Sequence, residues 1–464
     1  MSEDQIVTDP REDDDEDDYG LDPEMILALR EAIEARDRDR IDALLDPQHP
    51  ADVADILEQL SAADRRELLA LWSGEIDGEI LTEIDEAIRE EVIDALPPEV
   101  LAEAVRELDS DDVVDLIEDL EEDQQEVILG ALEESDRVAV EQALAWPEYS
   151  AGRLMQREVV TAPEHWTVGE AIDFLRRGDE LPDQFYHVIL VDPRHRPVGY
   201  VTLGRLLSSA RTTLLRDITE DSFRTIPVDQ EEADVAYAFN QYHLISAPVV
   251  DEQDRLVGVI TIDDAMSVLD DEHEEDILRL AGVGEESSIS DSVVETARQR
   301  VPWLGINILT ALVSATVISL FEDSIAKIVA LAVLMPIVSA MGGNAGTQTL
   351  TVVVRGLATK SLTAANTLRV IRREMTVGLL NGGLFAVTLG IVTWLWFGDI
   401  HLSMVIGAAM VMNLFVAALG GILVPLTLDK LGADPALASP IFVTTLTDVI
   451  GFLAFLGLAT VFLL

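Results

Sequence analysis

The sequence predicts a multidomain chain in which an all-α superhelical domain and an α/β tandem repeat precede an α-helical membrane domain of five spans. Charge and hydropathy predict this division. The 464 residues carry a formal net charge of −56, yet the mean hydropathy is +0.22. From Val301 onward acidic and basic residues are equal in number, so the whole acid excess lies in residues 1–300. A highly acidic soluble region is therefore followed by an apolar one that suits a bilayer.

The composition also excludes several classes of function. A surface this negative repels phosphates, which excludes nucleic-acid binding. The chain has no cysteine, so disulfides, thiolate metal sites and thiol catalysis are excluded. No nucleophile with a base, phosphate loop or metal-hydrolase motif is found, and we expect no enzyme.

Two explanations account for the acid excess. Only three of the 31 basic residues are lysine, and an acidic, lysine-poor surface suits the salt-rich cytoplasm of a halophile. Clustered carboxylates that bind hard divalent cations are the other explanation. Composition alone leaves both open.

The N-terminal part divides into a tail and a helical domain. Residues 1–22 are acidic and poor in apolar side chains, which predicts a disordered tail. They lack the basic start and apolar core of a signal peptide, so we expect this end of the chain in the cytoplasm. Residues 23–146 repeat apolar side chains at helical spacing, as at Val53, Ile56 and Leu60. Short helices joined by polar turns predict a helical superhelix.

An internal repeat follows, with one copy in residues 147–212 and the other in residues 213–272. Each copy predicts a strand, a turn, a second strand and a helix, preceded by another helix. Three pairs of identical residues are separated by 59 positions: Asp192 and Asp251, Gly199 and Gly258, Thr202 and Thr261. The repeat therefore predicts two α/β domains of one kind.

This repeat resembles a pair of cystathionine-β-synthase (CBS) domains, whose T-x-x-D signature is present in the second copy as Thr261 and Asp264. In that family the two residues hold a nucleotide ribose, so the resemblance implies binding of ATP or another adenosine nucleotide. Thr202 and Tyr186 are the further candidates. The first copy has Arg205 in place of the aspartate, so we expect at most one standard site per pair. A pair that serves only dimerisation and relay is the alternative.

Carboxylates crowd the segment after the repeat, and residues 273–301 predict an acidic stretch and a connecting helix that begins at a capping-box-like pair, Ser292 and Glu295. Such crowding is destabilised by its own repulsion until cations relieve it. A solvated acidic face is the alternative for any single carboxylate. The candidate ligands of a cytosolic cation sensor are Asp111, Asp115, Asp263, Asp264, Glu272, Glu274, Glu275, Asp276 and Asp434.

Residues 302–464 predict five spans, at about 303–320, 325–354, 375–397, 402–428 and 439–463. The loop after the second span holds five of the seven basic residues of this half, which places it on the cytoplasmic side. Five spans then leave the C-terminus outside.

The second span contains helix-weakening residues, among them Pro336 and Gly342, and oxygen donors such as Asn344 and Gln348. We expect an interrupted helix, which is tolerated at membrane depth only where it is buried or lines a water-filled path. Close packing of helices through small residues is the alternative.

The last span carries one ionised side chain, Asp448, near its middle. A carboxylate at that depth costs several kcal/mol unless it faces water or a counter-charge, so it indicates an ion path. The alternative is a buried aspartate bonded to Thr444, Thr445 or Thr447, or paired with a basic residue of another span.

These features together resemble the MgtE family of magnesium channels and transporters, with GGNAGTQ in the second span and DPALAS and TDVIG around the fifth. The resemblance implies a homodimer in the cell membrane whose pore Asp448 lines as the Mg2+ selectivity element. It implies too that cytosolic Mg2+ bridges the acidic domains and closes the pore. The candidate pore ligands are Asp448, Asn344, Gln348 and Thr444.

Three other functions stay open. The same fold could carry Co2+ or Mn2+, although the absence of cysteine and of histidine within the spans argues against a softer metal. An anion channel is disfavoured because the spans lack basic pore residues. A non-transporting, membrane-anchored Mg2+ or nucleotide sensor would need neither Asp448 nor an interrupted second span.

Overall fold

The computed structural model describes residues 22–72, 76–106, 108–118, 120, 122–177, 181–182, 184–220, 223–283, 287–288 and 293–464. Residues 1–21 of the predicted tail and Ser292 of the predicted capping pair lie outside these ranges. The chain divides into two compact units, Met1–Leu269 and Asp270–Leu464. The boundary lies close to the predicted end of the tandem repeat.

Among the described residues the first unit begins with ten helices, as the sequence predicts for an all-α domain. Aspartates start several of them because a carboxylate accepts a hydrogen bond from the free N–H groups of a first turn, as Asp37 does from Arg40. Many helices contact the second helix after them, which is the arrangement of a superhelix. The helices are α1 Pro23–Ala35, α2 Arg38–Leu45, α3 Pro50–Gln59, α4 Ala62–Trp72, α5 Gly78–Glu83, α6 Glu86–Ala95, α7 Pro98–Val105, α8 Ser110–Glu118, α9 Glu122–Ala131 and α10 Glu134–Ala143.

The tandem repeat forms two three-stranded sheets with the same topology. In each sheet the first strand is parallel to the second, and the second is antiparallel to the third. One copy comprises α11 Ala151–Leu154, β1 Thr161–Pro163, α12 Val168–Leu175, β2 His187–Val191, β3 Pro197–Thr202, α13 Leu203–Ser208 and a 3₁₀ turn at Leu215–Asp217. The other comprises β4 Ile226–Pro227, α14 Glu232–Tyr242, β5 Ser246–Val250, β6 Leu256–Thr261 and α15 Ile262–Ala281.

The repeated aspartates build the same hairpin turn in both copies. Asp192 accepts hydrogen bonds from the N–H groups two and four residues later, at 2.7 and 2.9 Å, and Asp251 does so at 2.9 Å in both cases. The third turn residue is left-handed in each, with φ of 61° at His195 and 60° at Asp254. Gly258 permits a close approach, because a Cβ there would lie 2.7 Å from the carbonyl oxygen of Gln156. The two copies are therefore related by structure as well as by sequence.

Within the described part of the second unit, five helices are long and apolar enough to cross a membrane, as predicted. Their apolar stretches are Thr296–Ser319, Ala330–Ala358, Thr367–Phe397, Ile400–Lys430 and Pro440–Leu463. They belong to α16 Val293–Ser319, α18 Ala330–Ala358, α19 Thr367–Phe397, α20 Ile400–Lys430 and α21 Pro435–Leu463, with a short α17 at Glu322–Lys327. The connecting helix and the first span form one helix, α16.

The predicted interruption of the second span is wrong. Helix α18 continues through Pro336 and the glycines, and the break lies before it, between α17 and α18. The glycines serve close packing instead. A Cβ at Gly346 would lie 2.5 Å from Val443 on α21, and one at Gly421 would lie 2.8 Å from the carbonyl oxygen of Gly346. Tight contacts with α20 and α21 support the helix where its own propensity is weak.

Candidate functional site

Asp448 is half-buried on α21 and is held by a neighbouring helix. The hydroxyl of Ser339 on α18 donates a hydrogen bond to its Oδ1 at 2.5 Å. Of the threonines in the alternative, Thr445 and Thr447 donate instead to carbonyls of their own helix, at 2.7 and 2.9 Å. Among the described residues no basic side chain forms an ion pair with Asp448. The described residues thus orient the carboxylate without supplying a counter-charge.

The other predicted pore residues are exposed on the two helices that the Ser339–Asp448 hydrogen bond joins. Thr444 lies one helical turn before Asp448 on α21 and is exposed. It lies against α18, where a Cβ at Gly343 would be 3.9 Å from its methyl group. Asn344 and Gln348 are one turn apart on α18 and are exposed as well. The structure therefore brings these oxygen donors to one pair of helices, with their polar groups uncovered.

A first group of sensor candidates lies within the first unit. Asp111 on α8 is buried, with 7% of its surface exposed, and its Oδ1 accepts a hydrogen bond from the Asp112 N–H at 3.0 Å. Burial raises the pKa of Asp111 well above its usual range, and the nearby charges of Asp264 and Asp112 raise it further. Asp264 and Asp263 begin α15. The N-terminal helices and the second repeat copy thus bring acidic groups together.

The same surroundings act on the neighbouring carboxylates. Burial raises the pKa of Asp112 to about 7, and Asp264 and Asp109 add to the effect. Burial also raises the pKa of Asp264 to about 6, against the hydrogen bonds from Thr261 that lower it. These acids repel one another, and a cation between them would relieve the repulsion. We call Asp109, Asp111, Asp112, Asp263 and Asp264 the first acidic cluster.

Asp115 is paired with a basic side chain. Its carboxylate lies 3.2 Å from the guanidinium of Arg89, which is buried and also donates to the carbonyls of Thr82 and Ile84 at 3.3 Å. Asp115 is on α8 with Asp111, but its side chain is 53% exposed. The structure therefore supports Asp111 as a cation ligand more than Asp115.

A second group lies within the second unit, around an arginine. Arg279 on α15 lies 2.7 Å from Glu275 and 3.0 Å from Asp434, the residue that caps α21. Burial raises the pKa of Glu272 and of Asp276, with Asp434 contributing to both and Arg279 lowering both. We call Glu272, Glu275, Asp276 and Asp434, with Arg279, the second acidic cluster.

Glu274 is exposed, and no contact places it in the second cluster. In the described part of the chain no three acidic or histidine side chains converge closely enough to form a ready-made metal site. The two clusters are concentrations of negative charge and not closed coordination shells.

The nucleotide candidates meet where the two repeat copies touch. Asp264 Oδ2 accepts a hydrogen bond from the Thr261 hydroxyl at 2.6 Å. Thr202 is the equivalent residue of the first copy, and it caps α13 by accepting from the Arg205 N–H at 3.2 Å. Tyr186 is 39% exposed and precedes β2.

The contact between the copies explains why these residues approach one another. His187, opposite Thr202 in its hairpin, is hydrogen-bonded to Ser246, opposite Thr261 in the other. Burial lowers the pKa of His187. The two hairpins therefore meet at equivalent ends, and the pair of threonines flanks the contact.

Comparison with known proteins follows this division of the chain. Residues 335–458 match the MgtE family, described as divalent cation transporters. Residues 48–149 match the MgtE intracellular N domain, and residues 151–211 and 215–271 each match a CBS domain. The magnesium transporter MgtE of Thermus thermophilus is 33% identical over 452 residues, which cover 96% of this chain and 99% of that protein. The chain belongs to the MgtE family.

Other MgtE proteins match over shorter stretches. The magnesium transporter MgtE of Enterococcus faecalis is 35% identical over 324 residues, 70% of this chain and 71% of that protein. A crystal structure of the cytosolic domain of the Mg2+ channel MgtE in complex with ATP is 28% identical with a TM-score of 0.48, and the match covers 52% of this chain and 99% of that one.

The sequence did not point to several residues that the structure places beside the predicted ones. Ser339 is one of many serines and threonines in the spans, and only the packing of α18 on α21 singles it out. Asp109 and Asp112 adjoin a predicted candidate, so they could have been included. Arg279 carried a signal as well, because an arginine four residues after Glu275 pairs with it on a helix.

Proposed function

We propose that this MgtE chain forms a homodimeric pore that imports Mg2+ through a path lined by Asp448, and that cytosolic Mg2+ closes it. The observation that carries the proposal is the carboxylate of Asp448, which lies in the middle of an apolar helix and is held by Ser339 at 2.5 Å. The two helices joined by this bond also carry the exposed oxygen donors. The magnesium transporters to which the chain is similar support the choice of ion.

The chemistry of the path suits a hydrated ion. Mg2+ sheds its water reluctantly and is usually bound through one or two carboxylates while it keeps several waters. Asp448 supplies one carboxylate per chain, and Asn344, Gln348 and Thr444 supply neutral oxygens. A softer metal would be expected to use nitrogen or sulfur ligands.

A second copy of the chain explains the uncovered polar surface. Polar side chains that face lipid are costly, so such a surface faces either a partner or water. Two copies with this surface around one axis would place two Asp448 carboxylates across a water-filled path. The chain would thus assemble its pore between subunits.

The acidic clusters suit a sensor of cytosolic Mg2+. Each gathers carboxylates that repel one another, so a state that keeps them together gains affinity for divalent cations. If this compact state is the closed one, rising Mg2+ shifts the population towards closure. The first unit, which we call the soluble unit, would then lie in the cytoplasm. The second unit would lie in the cell membrane with the C-terminus outside.

Uptake of Mg2+ into liposomes that contain the purified protein tests the pore. Asp448→Asn keeps the shape of the side chain and the acceptor for Ser339 but removes the charge, and we expect it to lower uptake by roughly tenfold or more. Asp399→Asn is the matched control, because this carboxylate caps α20 and an amide oxygen can do the same. Equal uptake by wild type and Asp448→Asn would contradict the proposed path.

The same liposomes test the sensor and the rival functions. Millimolar Mg2+ on the side of the soluble unit should inhibit uptake, a concentration chosen for weak carboxylate sites. Faster uptake of Co2+ or Mn2+ than of Mg2+ would favour another divalent cation. Absence of uptake for every ion would favour an anchored sensor.

Nucleotide binding at the CBS pair is a second candidate function. It is favoured by the junction of the two hairpins at His187 and Ser246, which brings Thr261 and Thr202 to one place. Calorimetric titration of the whole protein with ATP tests it. We expect Thr261→Val to weaken binding and Thr202→Val, the equivalent change in the copy without the aspartate, to have a smaller effect. If the wild type shows no heat of binding, the alternative is favoured in which the CBS pair serves only dimerisation and relay.

A further inference from the structure

Asn413 is a fully buried amide in the middle of α20, with 0% of its surface exposed. Its Nδ2 donates a hydrogen bond to the backbone carbonyl of Val338 on α18 at 2.7 Å. Only the nitrogen can donate to a carbonyl, so this contact fixes the orientation of the amide. Its Oδ1 has no hydrogen-bond partner within the described ranges of the chain. A buried amide with only one of its two polar atoms hydrogen-bonded lowers the stability of the fold. Its presence indicates a role that an apolar side chain could not fill.

Two glycines leave room for this amide. A Cβ at Gly342 on α18 would lie 2.9 Å from Cγ and Oδ1 of Asn413. A Cβ at Gly451 on α21 would lie 3.0 Å from Cγ, Oδ1 and Nδ2. Any larger residue at either position would push the amide away. Asn413 is therefore wedged between α18 and α21 while it is bonded to α18.

The Asn413 side chain lies next to the neighbours in sequence of both Ser339 and Asp448. Val338, the acceptor of the amide proton, directly precedes Ser339. Gly451 follows Asp448 by three residues, close to one helical turn. A shift of Asn413 would thus move the donor, the acceptor or both.

We propose that Asn413 is a positioning residue for the ion path and sets the geometry of the Asp448 carboxylate through Val338 and Ser339; this rests on the proposed function of Asp448. An apolar side chain could fill the space but would not fix the rotation of α18 about its axis. A functional side chain must be held within about 0.5 Å of its working position. Loss of the amide should therefore change the affinity and selectivity of the path more than its maximal rate.

Asn413→Leu tests the proposal, because leucine has a similar volume and no hydrogen-bond donor. We expect the half-saturating Mg2+ concentration for uptake to rise roughly three- to tenfold, the range expected for one interhelical hydrogen bond in a membrane. The preference for Mg2+ over Ca2+ should fall in parallel. Thr393→Val is the matched control, because Thr393 is 1% exposed and its hydroxyl is also unpaired among the described residues. It should leave both quantities unchanged.

A double-mutant cycle with Ser339→Ala separates positioning from general stability. If Asn413 acts through Ser339, the selectivity of the double variant equals that of Ser339→Ala alone. Additive losses, or wild-type selectivity in Asn413→Leu, would overturn the proposal. Gly451→Ala displaces the amide by a few tenths of an ångström and serves if Asn413→Leu does not fold; it should shift selectivity in the same direction, and wild-type selectivity would count against us.

Failure of the proposed function can be told apart from failure of this inference. If uptake persists in Asp448→Asn, or if the wild type shows no uptake, the proposed ion path is wrong. In that case the same cycle, measured as shifts of the thermal unfolding midpoint, decides the coupling. Non-additive shifts support positioning of Ser339 by Asn413, and additive shifts reject it.

Discussion

The hydroxyl of Ser339 lies 2.5 Å from Oδ1 of Asp448, and this bond joins the second and fifth spans at the depth of the predicted ion path. A hydroxyl bonded to a carboxylate at this distance is a strong, charge-assisted contact. It occupies one oxygen of the carboxylate, and on the proposed path the other would face the hydrated ion. The bond thus orients Asp448 without neutralising it.

Ser339→Ala should weaken the path without abolishing it. Loss of a hydrogen bond to a charged group costs about 1.5–3 kcal/mol, so we expect the half-saturating Mg2+ concentration to rise by roughly tenfold to a hundredfold. Uptake by liposomes as a function of Mg2+ measures this. Ser324→Ala is the control, because that buried serine bonds Thr460 at 2.8 Å, away from Asp448. An equal effect of the two substitutions would refute a specific role of Ser339.

The first acidic cluster should make stability depend on pH. The pKa of Asp112 is about 7 in the folded chain, above the ordinary 3.8, so the folded state binds more protons between these values. Stability should therefore rise as pH falls from 8 to 6 in the absence of Mg2+. The thermal unfolding midpoint of the whole protein in detergent measures this. Millimolar Mg2+ should reduce the difference, because a cation favours the ionised carboxylates.

Substitution of Asp112 by asparagine tests the origin of that dependence. Asp112→Asn should raise the midpoint at pH 8 and reduce its change with pH, because a repelled charge has been removed. Glu103→Gln, at an exposed site on α7, is the control and should behave as wild type. A variant with an undiminished pH dependence would assign the effect to other groups.

Arg279 should compete with Mg2+ at the second acidic cluster. Its guanidinium lies 2.7 Å from Glu275 and 3.0 Å from Asp434, where a bound cation would also be stabilised. Arg279→Gln removes this internal cation, so inhibition of uptake should require several-fold less Mg2+ on the side of the soluble unit. Lys430→Gln, an exposed basic residue at the end of α20, is the control. Inhibition that needs more Mg2+ in Arg279→Gln would show that the arginine supports closure.

Gly346 should tolerate no side chain. A Cβ there would lie 2.5 Å from Val443, and overpacking of this kind costs about 1–3 kcal/mol. Gly346→Ala should therefore lower the thermal unfolding midpoint and the yield of folded protein. Gly383→Ala is the matched control, because a Cβ at Gly383 would meet nothing within 4 Å. Equal midpoints for the two variants would argue against close packing of α18 on α21.

The division into a helical domain, a tandem repeat and five spans could be predicted from the sequence alone. Charge and hydropathy act over whole segments, and the 59-residue repeat is visible without coordinates. Asp448 was also evident, since an ionised residue in an apolar span is costly wherever the span packs. The salt-rich habitat stays a prediction, because composition cannot separate salt adaptation from cation binding. The outside position of the C-terminus also stays a prediction.

The spatial neighbours of these residues are visible only in the packing of the folded chain. Pro336 and the glycines predicted an interrupted span, but contacts with α20 and α21 outweigh weak local propensity and keep α18 continuous. Asp111 and Asp115 looked alike on one helix, yet one is buried among acids and the other is paired with Arg89. Ser339, Arg279 and Asn413 each contact a residue far away in the chain. Such contacts form between helices, and a sequence pattern records the face of a helix but not its partner.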